Sequence, residues 1–372
     1  MTPLFIGSGK SIGKKEYAFS LKDKKVYIPD IKKLYEKLYE KKIAPAFIKY
    51  IQDPRADDLL AWLEQNKVKT SEFEECLSYV LDANDGIIKE KERYGNRIVE
   101  KLANKEIAAF LKDAYGNPYV PGSSVKGALR SIILHDSIAK NKAKFSSDAA
   151  SITTTISKSS LNPRKDLTSR SIESKILHKL NRPGTESKDM VNSVMSGLIV
   201  GDSAPLSVKD LILCQKVDLS APKINDGKAS ALNILRECIR PGTEIEVDLT
   251  IDTTIFPYGI DDLRQMINAY NEDYQAIIVS SFEKTDTPYV EKAFYLGGGT
   301  GYPLKTIMYS LYEKKEAVRN VSKILSVMFP KRPKRDHKHE QDVSIGISPH
   351  ILKCTKLNGK LYEMGKCEIS II

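Results

Sequence analysis

Long apolar runs are missing from this chain: no stretch approaches the roughly 18–20 uncharged apolar residues that a membrane helix needs. The opening MTPLFIGSGK has neither the charged start nor the continuous apolar core of a signal peptide, so the expectation is a cytoplasmic protein with no membrane partner. Cysteine is scarce. The five present (Cys76, Cys214, Cys238, Cys354 and Cys367) lie far apart with no CxxC pair. That spacing excludes a zinc signature and a disulfide framework and leaves scattered core thiols. No internal repeat is visible, which removes solenoids and propellers. Acidic charge is in deficit: 58 Lys+Arg against 48 Asp+Glu give +10 over 372 residues. Such an excess points to an acidic partner, with nucleic acid first among the candidates.

What is present is ordinary for a soluble globular chain, 41% apolar and 28% charged, and the length suggests two domains. Leu4-Phe5-Ile6 reads as a strand running into a glycine turn, Gly7-Ser8-Gly9, with further strands around Tyr17–Leu21 and Val26–Ile28. Asp30 is placed to cap a helix carrying Ile31, Leu34, Tyr35, Leu38 and Tyr39. Another helix is expected at Leu59–Leu63. A third opens with Ser71-x-x-Glu74, a capping-box pattern, and carries Phe73, Cys76, Leu77, Val80 and Leu81. This helical insertion occupies about residues 30–105, its helices ending near 83.

Ile107–Leu111 and Pro118–Val120 form a hairpin pattern about Gly116-Asn117, and Pro121-Gly122-Ser123-Ser124 turns the chain into a helix. Residues of about 141–190 are read as a mobile arm, Ser/Thr/Lys/Asn-rich with little periodicity to about 170. Thr243–Ile251 alternates as a strand, a long helix is expected from about Pro303 to Met328, and Asn358-Gly359 marks a hairpin. Helices mixed with antiparallel hairpins give an α+β class.

Three patterns are decoys. Gly9-Lys10-Ser11 lacks the glycine five residues earlier, where Leu4 stands, and leads into Ile12-Gly13 rather than a helix, so it is no phosphate-binding NTPase loop. Gly297-Gly298-Gly299-Thr300-Gly301 has no βαβ context. His337 and His339 lie in a charged stretch with Lys331, Arg332, Lys334 and Arg335; without a carboxylate or cysteine companion they read as a solvated loop, not a metal site. Of the other histidines, His135 and His178 sit in amphipathic segments and His350 follows a proline. No nucleophile elbow or paired-carboxylate site accompanies them, so no catalytic residue is assigned.

Three segments make a consistent set. The first is Thr2–Lys10. The second is Tyr119–Arg130, where Ser123 and Ser124 are expected to cap a helix and Lys126 and Arg130 share one flank. A helix N-terminus with hydroxyls and two cations suits a phosphate group. The third is Gly297–Gly301, followed by Tyr302 and Lys305. In order along the chain, TPLFIGSG, YVPGSSVKGALR, LIVGDSAPL, RPGTEIEVDL and GGGTGYPLKT resemble the landmarks of the RAMP superfamily of CRISPR effector proteins. The resemblance runs from residue 2 to about 310. In length and arrangement it is most similar to the fifth-subunit family of type III-A (Csm) interference complexes.

That resemblance implies two ferredoxin-like (RRM-related) units, residues 1–252 and 253–372, with the helical insertion and the flexible arm in the first and the glycine-rich loop in the second. It implies a non-catalytic subunit that caps the 3′-proximal end of the CRISPR RNA and supports its maturation in antiviral defence. Partners would be CRISPR RNA, the other subunits of the effector complex and host nucleases; no cofactor or metal is implied. The RNA-binding residues carried over by motif position are Gly7, Ser8, Gly9, Lys10, Ser123, Ser124, Lys126, Arg130, Gly297, Gly298, Gly299, Thr300 and Gly301. The late loop departs from the usual superfamily pattern, and nothing here matches the catalytic-aspartate loop of the backbone subunit. The alternative is a RAMP endoribonuclease processing precursor RNA, for which His135 or His178 would have to serve.

Overall fold

The computed structural model describes residues 2–371 apart from positions 21, 57, 84–88, 95–96, 103–104, 168, 284 and 334–335, with backbone alone over 89–94 and 97–102 and at 225. Leu21, Lys334 and Arg335 among the residues read above lie outside the described set.

Strands β1 (Gly7–Ile12), β2 (Ala18–Ser20) and β3 (Lys25–Pro29) lead into helices α1 (Ile31–Glu40), α2 (Ala44–Gln52), α3 (Leu59–Gln65) and α4 (Thr70–Glu74). The Asp30 carboxylate caps α1, accepting from Lys32 N at 2.9 Å and Lys33 N at 3.2 Å. Leu34 and Leu38, one turn apart, bury fully against Phe47, Leu59, Leu63 and Phe73, each contributing about 1.5–3 kcal/mol by leaving water. The helical run ends at Glu74. Leu77–Ala83 is strand β4, paired antiparallel with β3 from Lys25↔Asp82 to Ile28↔Tyr79. The expected third helix is therefore one short turn followed by a strand: Tyr79 and Val80 suit a pleated surface, and sheet pairing overrides the apparent helical spacing. Its N-terminus is held by Glu72, which accepts from Lys69 N at 2.8 Å, and not by a Ser71/Glu74 box.

A hairpin of β5 (Lys89–Tyr94) and β6 (Arg97–Leu102) precedes β7 (Ile107–Phe110). Then come α5 (Gly122–Ala139), α6 (Ser146–Ile156), α7 (Pro163–Asp166) and α8 (Arg170–Leu177). The stretch expected as an arm is thus largely helical. Phe145, Ile156, Leu161, Ile172 and Leu177 bury its inner face. The Ser/Thr hydroxyls that hide its periodicity bond back to carbonyls, as Thr154 to Ala150 and Ser157 to Thr153.

The remaining strands are β8 (Leu198–Val200), β9 (Leu211–Ser220), β10 (Ala229–Ile239), β11 (Leu249–Ile251), β12 (Ala293–Tyr295), β13 (Ile351–Leu357), β14 (Lys360–Glu363) and β15 (Lys366–Glu368). Between them lie α9 (Ile260–Ile277), α10 (Met308–Leu311), α11 (Lys314–Met328) and α12 (Asp342–Ile345). The long helix expected from Pro303 is broken into a 3₁₀ turn, α10 and α11. Of the expected strand Thr243–Ile251 only its last three residues pair, with β8. The Asn358-Gly359 turn joins β13 to β14 with both residues at positive φ (51° and 76°), as a two-residue hairpin requires.

Among the described residues nine strands form one mixed sheet in the order β1-β7-β10-β9-β4-β3-β2, with β13 and β14 branching from β9. Strand β9 has β10 along one edge. Its other edge is shared, by β4 at Ile212 and Leu213 and by β13 from Lys216 to Ser220. A core of Ile107, Leu213 and Leu235 from the sheet packs with Leu129, Ile132 and Ile133 of α5 and Leu263 and Ile267 of α9. A second core surrounds α11 and a third the α1–α4 block.

Candidate nucleic-acid interface

The Gly-Ser-Gly segment is strand, not turn. It pairs with β7 at Gly7↔Phe110 and Ser11↔Ala108, with a bulge between that Gly9 occupies at φ +80°. The Ser8 hydroxyl donates to Ala109 O at 3.2 Å, while Gly7, Gly9 and Lys10 are exposed. Just before the strand, Phe5 O accepts from Gly298 N at 2.6 Å, which lays the glycine loop against the N-terminal segment. Gly297, at φ +82°, leaves only 2.3 Å between an added Cβ and Phe5 O, so the approach needs glycine there. Thr300 turns inward, its hydroxyl on Gly297 O at 3.3 Å.

The second segment joins the same run. Leu111 N donates to Ile6 O at 2.9 Å and Tyr119 N to Leu111 O at 3.4 Å, so Tyr119 is linked to the N-terminal segment through Leu111 before the chain enters α5. The first and third segments are therefore in direct contact, and the second is joined to them through Leu111. Helix α5 begins differently from expectation. Pro121 is its N-cap and makes no side-chain cap bond, and Ser123 and Ser124 fall inside the first turn, so they do not cap it. Instead Asp202 accepts from Gly122 N at 2.8 Å and Ser203 Oγ from Val120 N at 2.9 Å. The LIVGDSAPL segment thus holds the entry of α5, and its carboxylate takes one of the amides expected for an anion.

Lys126 and Arg130 differ in availability. Lys126 is half-buried, and loss of hydration holds its ammonium below the ordinary lysine value. Arg130 is ion-paired to Glu173 of α8, whose second oxygen accepts the Ser169 hydroxyl.

The sheet adds cations that the motifs did not. In an antiparallel ladder opposed residues share a face, as do residues two apart on one strand. Cys214, Lys216 and Asp218 of β9 therefore share a face with Arg236 of β10, opposite Cys214, and Lys353 of β13, opposite Asp218. Lys353 bonds both Asp218 oxygens, at 2.9 and 3.0 Å. Burial first, then the charges of Lys353 and Arg236, push Lys216 below the usual lysine range, against the pull of Asp218. Burial likewise lowers Arg236. Among the described residues neither Lys216 nor Arg236 lies within ion-pair distance of a carboxylate. Added Cβ atoms on Gly299 and Gly301 would stand 2.6 Å from Arg236 Nη1 and 3.8 Å from Lys353 Cγ, so the glycine loop borders this cluster. Three cations and one carboxylate under a loop of bare backbone make an anion-receiving surface. Lys216 and Arg236 carried no signal in the sequence beyond polar positions in apolar strands.

The histidines considered for catalysis are enclosed. His135 is 7% exposed. It bonds Ser310 Oγ through Nδ1 at 2.6 Å and Asp273 Oδ2 through Nε2 at 2.8 Å. Burial lowers its pKa despite Asp273. His178 is 9% exposed, its Nδ1 on Ser187 O at 3.2 Å.

Comparison with known proteins follows the same lines. The family model for the RAMP superfamily matches residues 1–346. A Mycobacterium tuberculosis CRISPR system protein, Csm5, is 32% identical over 384 residues, covering 99% of this chain and 95% of its own. Csm5 of Streptococcus thermophilus is 30% identical over 379 residues, covering 100% and 95%. Among solved structures, the crystal structure of T. onnurineus Csm5 superposes with a TM-score of 0.58 at 17% identity, over 98% of both chains. A chain of a cryo-EM Csm–crRNA–target RNA ternary complex from a type III-A CRISPR-Cas system gives 0.63 at 18%, over 98% of this chain and 96% of that one. These two show the fold.

Proposed function

This chain belongs to the RAMP superfamily and, within it, to the Csm5 proteins, and on that premise we propose that it is a non-catalytic RNA-binding subunit of a cytoplasmic type III-A CRISPR effector complex, seated at the 3′-proximal end of the CRISPR RNA and supporting its maturation. The observation that carries this reading is the run of neighbouring backbone from Gly298 through Phe5, Ile6 and Leu111 to Tyr119, bordered by Lys216, Arg236 and Lys353. Cations and exposed backbone recognise phosphate rather than base edges, so binding tolerates any sequence, as a guide with variable spacers demands.

A RAMP endoribonuclease acting on precursor RNA is the second reading. A general base must reach the substrate, and both ring nitrogens of His135 are engaged inside the fold. That favours the binding role.

Affinity capture of the tagged protein from its host, with sequencing of the bound RNA ends, tests the proposal. Short guides with trimmed 3′ ends and co-purifying effector subunits are the expected result. Unprocessed precursor RNA without partner subunits would favour the nuclease, and absence of RNA would overturn both.

A further inference from the structure

His339, Asp342 and His350 come together at the start of β13, with ligand-competent atoms all within 4.8 Å of one another. His339 Nδ1 lies 3.1 Å from Asp342 Oδ2, His350 Nδ1 bonds Asp342 Oδ1, and the Ser348 hydroxyl reaches Asp342 Oδ2 at 2.6 Å. The three residues are 6%, 0% and 4% exposed. His339, at the end of the stretch expected as a solvated loop, is therefore turned inward, and the carboxylate companion it lacked is three residues along.

Separate elements hold the two histidines and Ser348. The Ser322 hydroxyl of α11 donates to His339 O at 2.7 Å, Ala221 N beside β9 donates to His350 O at 2.9 Å, and the Tyr309 hydroxyl of α10 donates to Ser348 O. Outside them the half-buried His337 ring lies parallel to His339, interplanar angle 3°, with centroids 5.9 Å apart.

We propose that His339, Asp342 and His350 form a structural site for a divalent transition ion, with zinc the best match. Ligands held at roughly 2.0–2.1 Å around a tetrahedral ion stand about 3.3 Å apart, close to the His339–Asp342 separation. Two imidazoles and a carboxylate suit zinc and its neighbours, whereas calcium and magnesium favour all-oxygen shells. Burial of all three ligands marks the site as structural, and the Ser348 hydroxyl on Asp342 Oδ2 is the polar group at hand to help complete the shell. The ion would tie the 3₁₀ turn at His339–Gln341, the turn of α12 and the residue before β13 into one unit.

The test is titration of the full chain, stripped with chelator, with Zn²⁺ against a chromogenic competitor and with Co²⁺ by visible absorption. One equivalent per chain is expected, with cobalt ligand-field bands, no thiolate charge-transfer band from the five cysteines, and a melting temperature raised by Zn²⁺. H339N/H350N should lose the equivalent and the thermal shift together. Wild-type protein that binds no ion, a thiolate spectrum, or undiminished binding in the double variant would each overturn the assignment. If the variant does not fold, the wild-type stoichiometry and spectrum decide alone.

Discussion

The guanidinium of Arg236 stands over the ring of Phe5, 4.8 Å from its centroid, and so links the sheet face to the segment that carries the glycine loop. It also donates to Met364 Sδ at 3.5 Å, a weak acceptor that brings no counter-charge. Replacing Lys216 and Arg236 together by Gln should weaken RNA binding at every sequence alike. Each lost phosphate contact on a single strand also flattens the dependence of log affinity on log salt by about 0.7. Filter binding at several salt concentrations reads both numbers. An unchanged slope would remove these residues from the interface.

Gly297 and Gly9 have nearly the same backbone, φ +82° and +80°, but different surroundings: an added Cβ meets Phe5 O at 2.3 Å in one and nothing within 4 Å in the other. Gly9→Ala should cost about 1 kcal/mol, the penalty of a left-handed non-glycine residue. Gly297→Ala adds displacement of a backbone carbonyl and should cost about 2–4 kcal/mol. Urea denaturation of the two variants checks the order, and equal losses would show that the loop is not held against Phe5.

Glu237, fully buried, binds Lys112, accepts from Tyr79 OH at 2.5 Å and from Phe110 N at 2.8 Å. Lys112→Met leaves that carboxylate without its cation and should cost about 3–5 kcal/mol. Lys112→Met with Glu237→Gln should cost less than the sum of the two single changes, with a coupling of at least about 1 kcal/mol. A double-mutant cycle by chemical denaturation measures it.

His135 titrates below its ordinary value because its ring is buried, and the half-exposed Asp273 does not offset that. The neutral ring donates from Nε2 to Asp273 and accepts the Ser310 hydroxyl at Nδ1, with Tyr270, Asp136 and Lys142 also nearby. With the folded pKa depressed, the unfolded chain binds more protons as pH falls through about 6.5. Stability should therefore drop between pH 7 and pH 5, and His135→Gln should flatten that part of the profile. Melting temperature against pH is the measurement, and an unaltered slope in the variant would exclude His135.

Local signals were legible. Asp30 before an apolar-periodic run and Asn358-Gly359 between alternating strands each concern a few adjacent residues, and both elements stand where the pattern put them. Failures came where distant pairing decides. Leu77–Leu81 is strand because β3 lies beside it, and Gly7–Gly9 is strand because β7 does. The 141–190 stretch hides its apolar face among hydroxyl residues that satisfy themselves locally. At the interface, the three motif segments were visible, but the Lys216–Arg236–Lys353 face exists only once β13 pairs with β9, and Asp202 replaces the serines at α5 from 80 residues downstream. His350 likewise joins His339 only through the fold.

The shared edge of β9 has a consequence for synthesis. Leu211–Ser220 leaves the ribosome with β4 and β10 already made or about to follow, so the part beside Ile212 closes early. The part from Lys216 to Ser220 has to wait for Ile351–Leu357, some 130 residues later. During that interval an apolar strand carries unpaired amides and carbonyls, the kind of open edge through which nascent chains associate. Lys216 and Asp218 are the charges on that edge. They therefore guard the unfinished molecule as well as lining the face of the finished one.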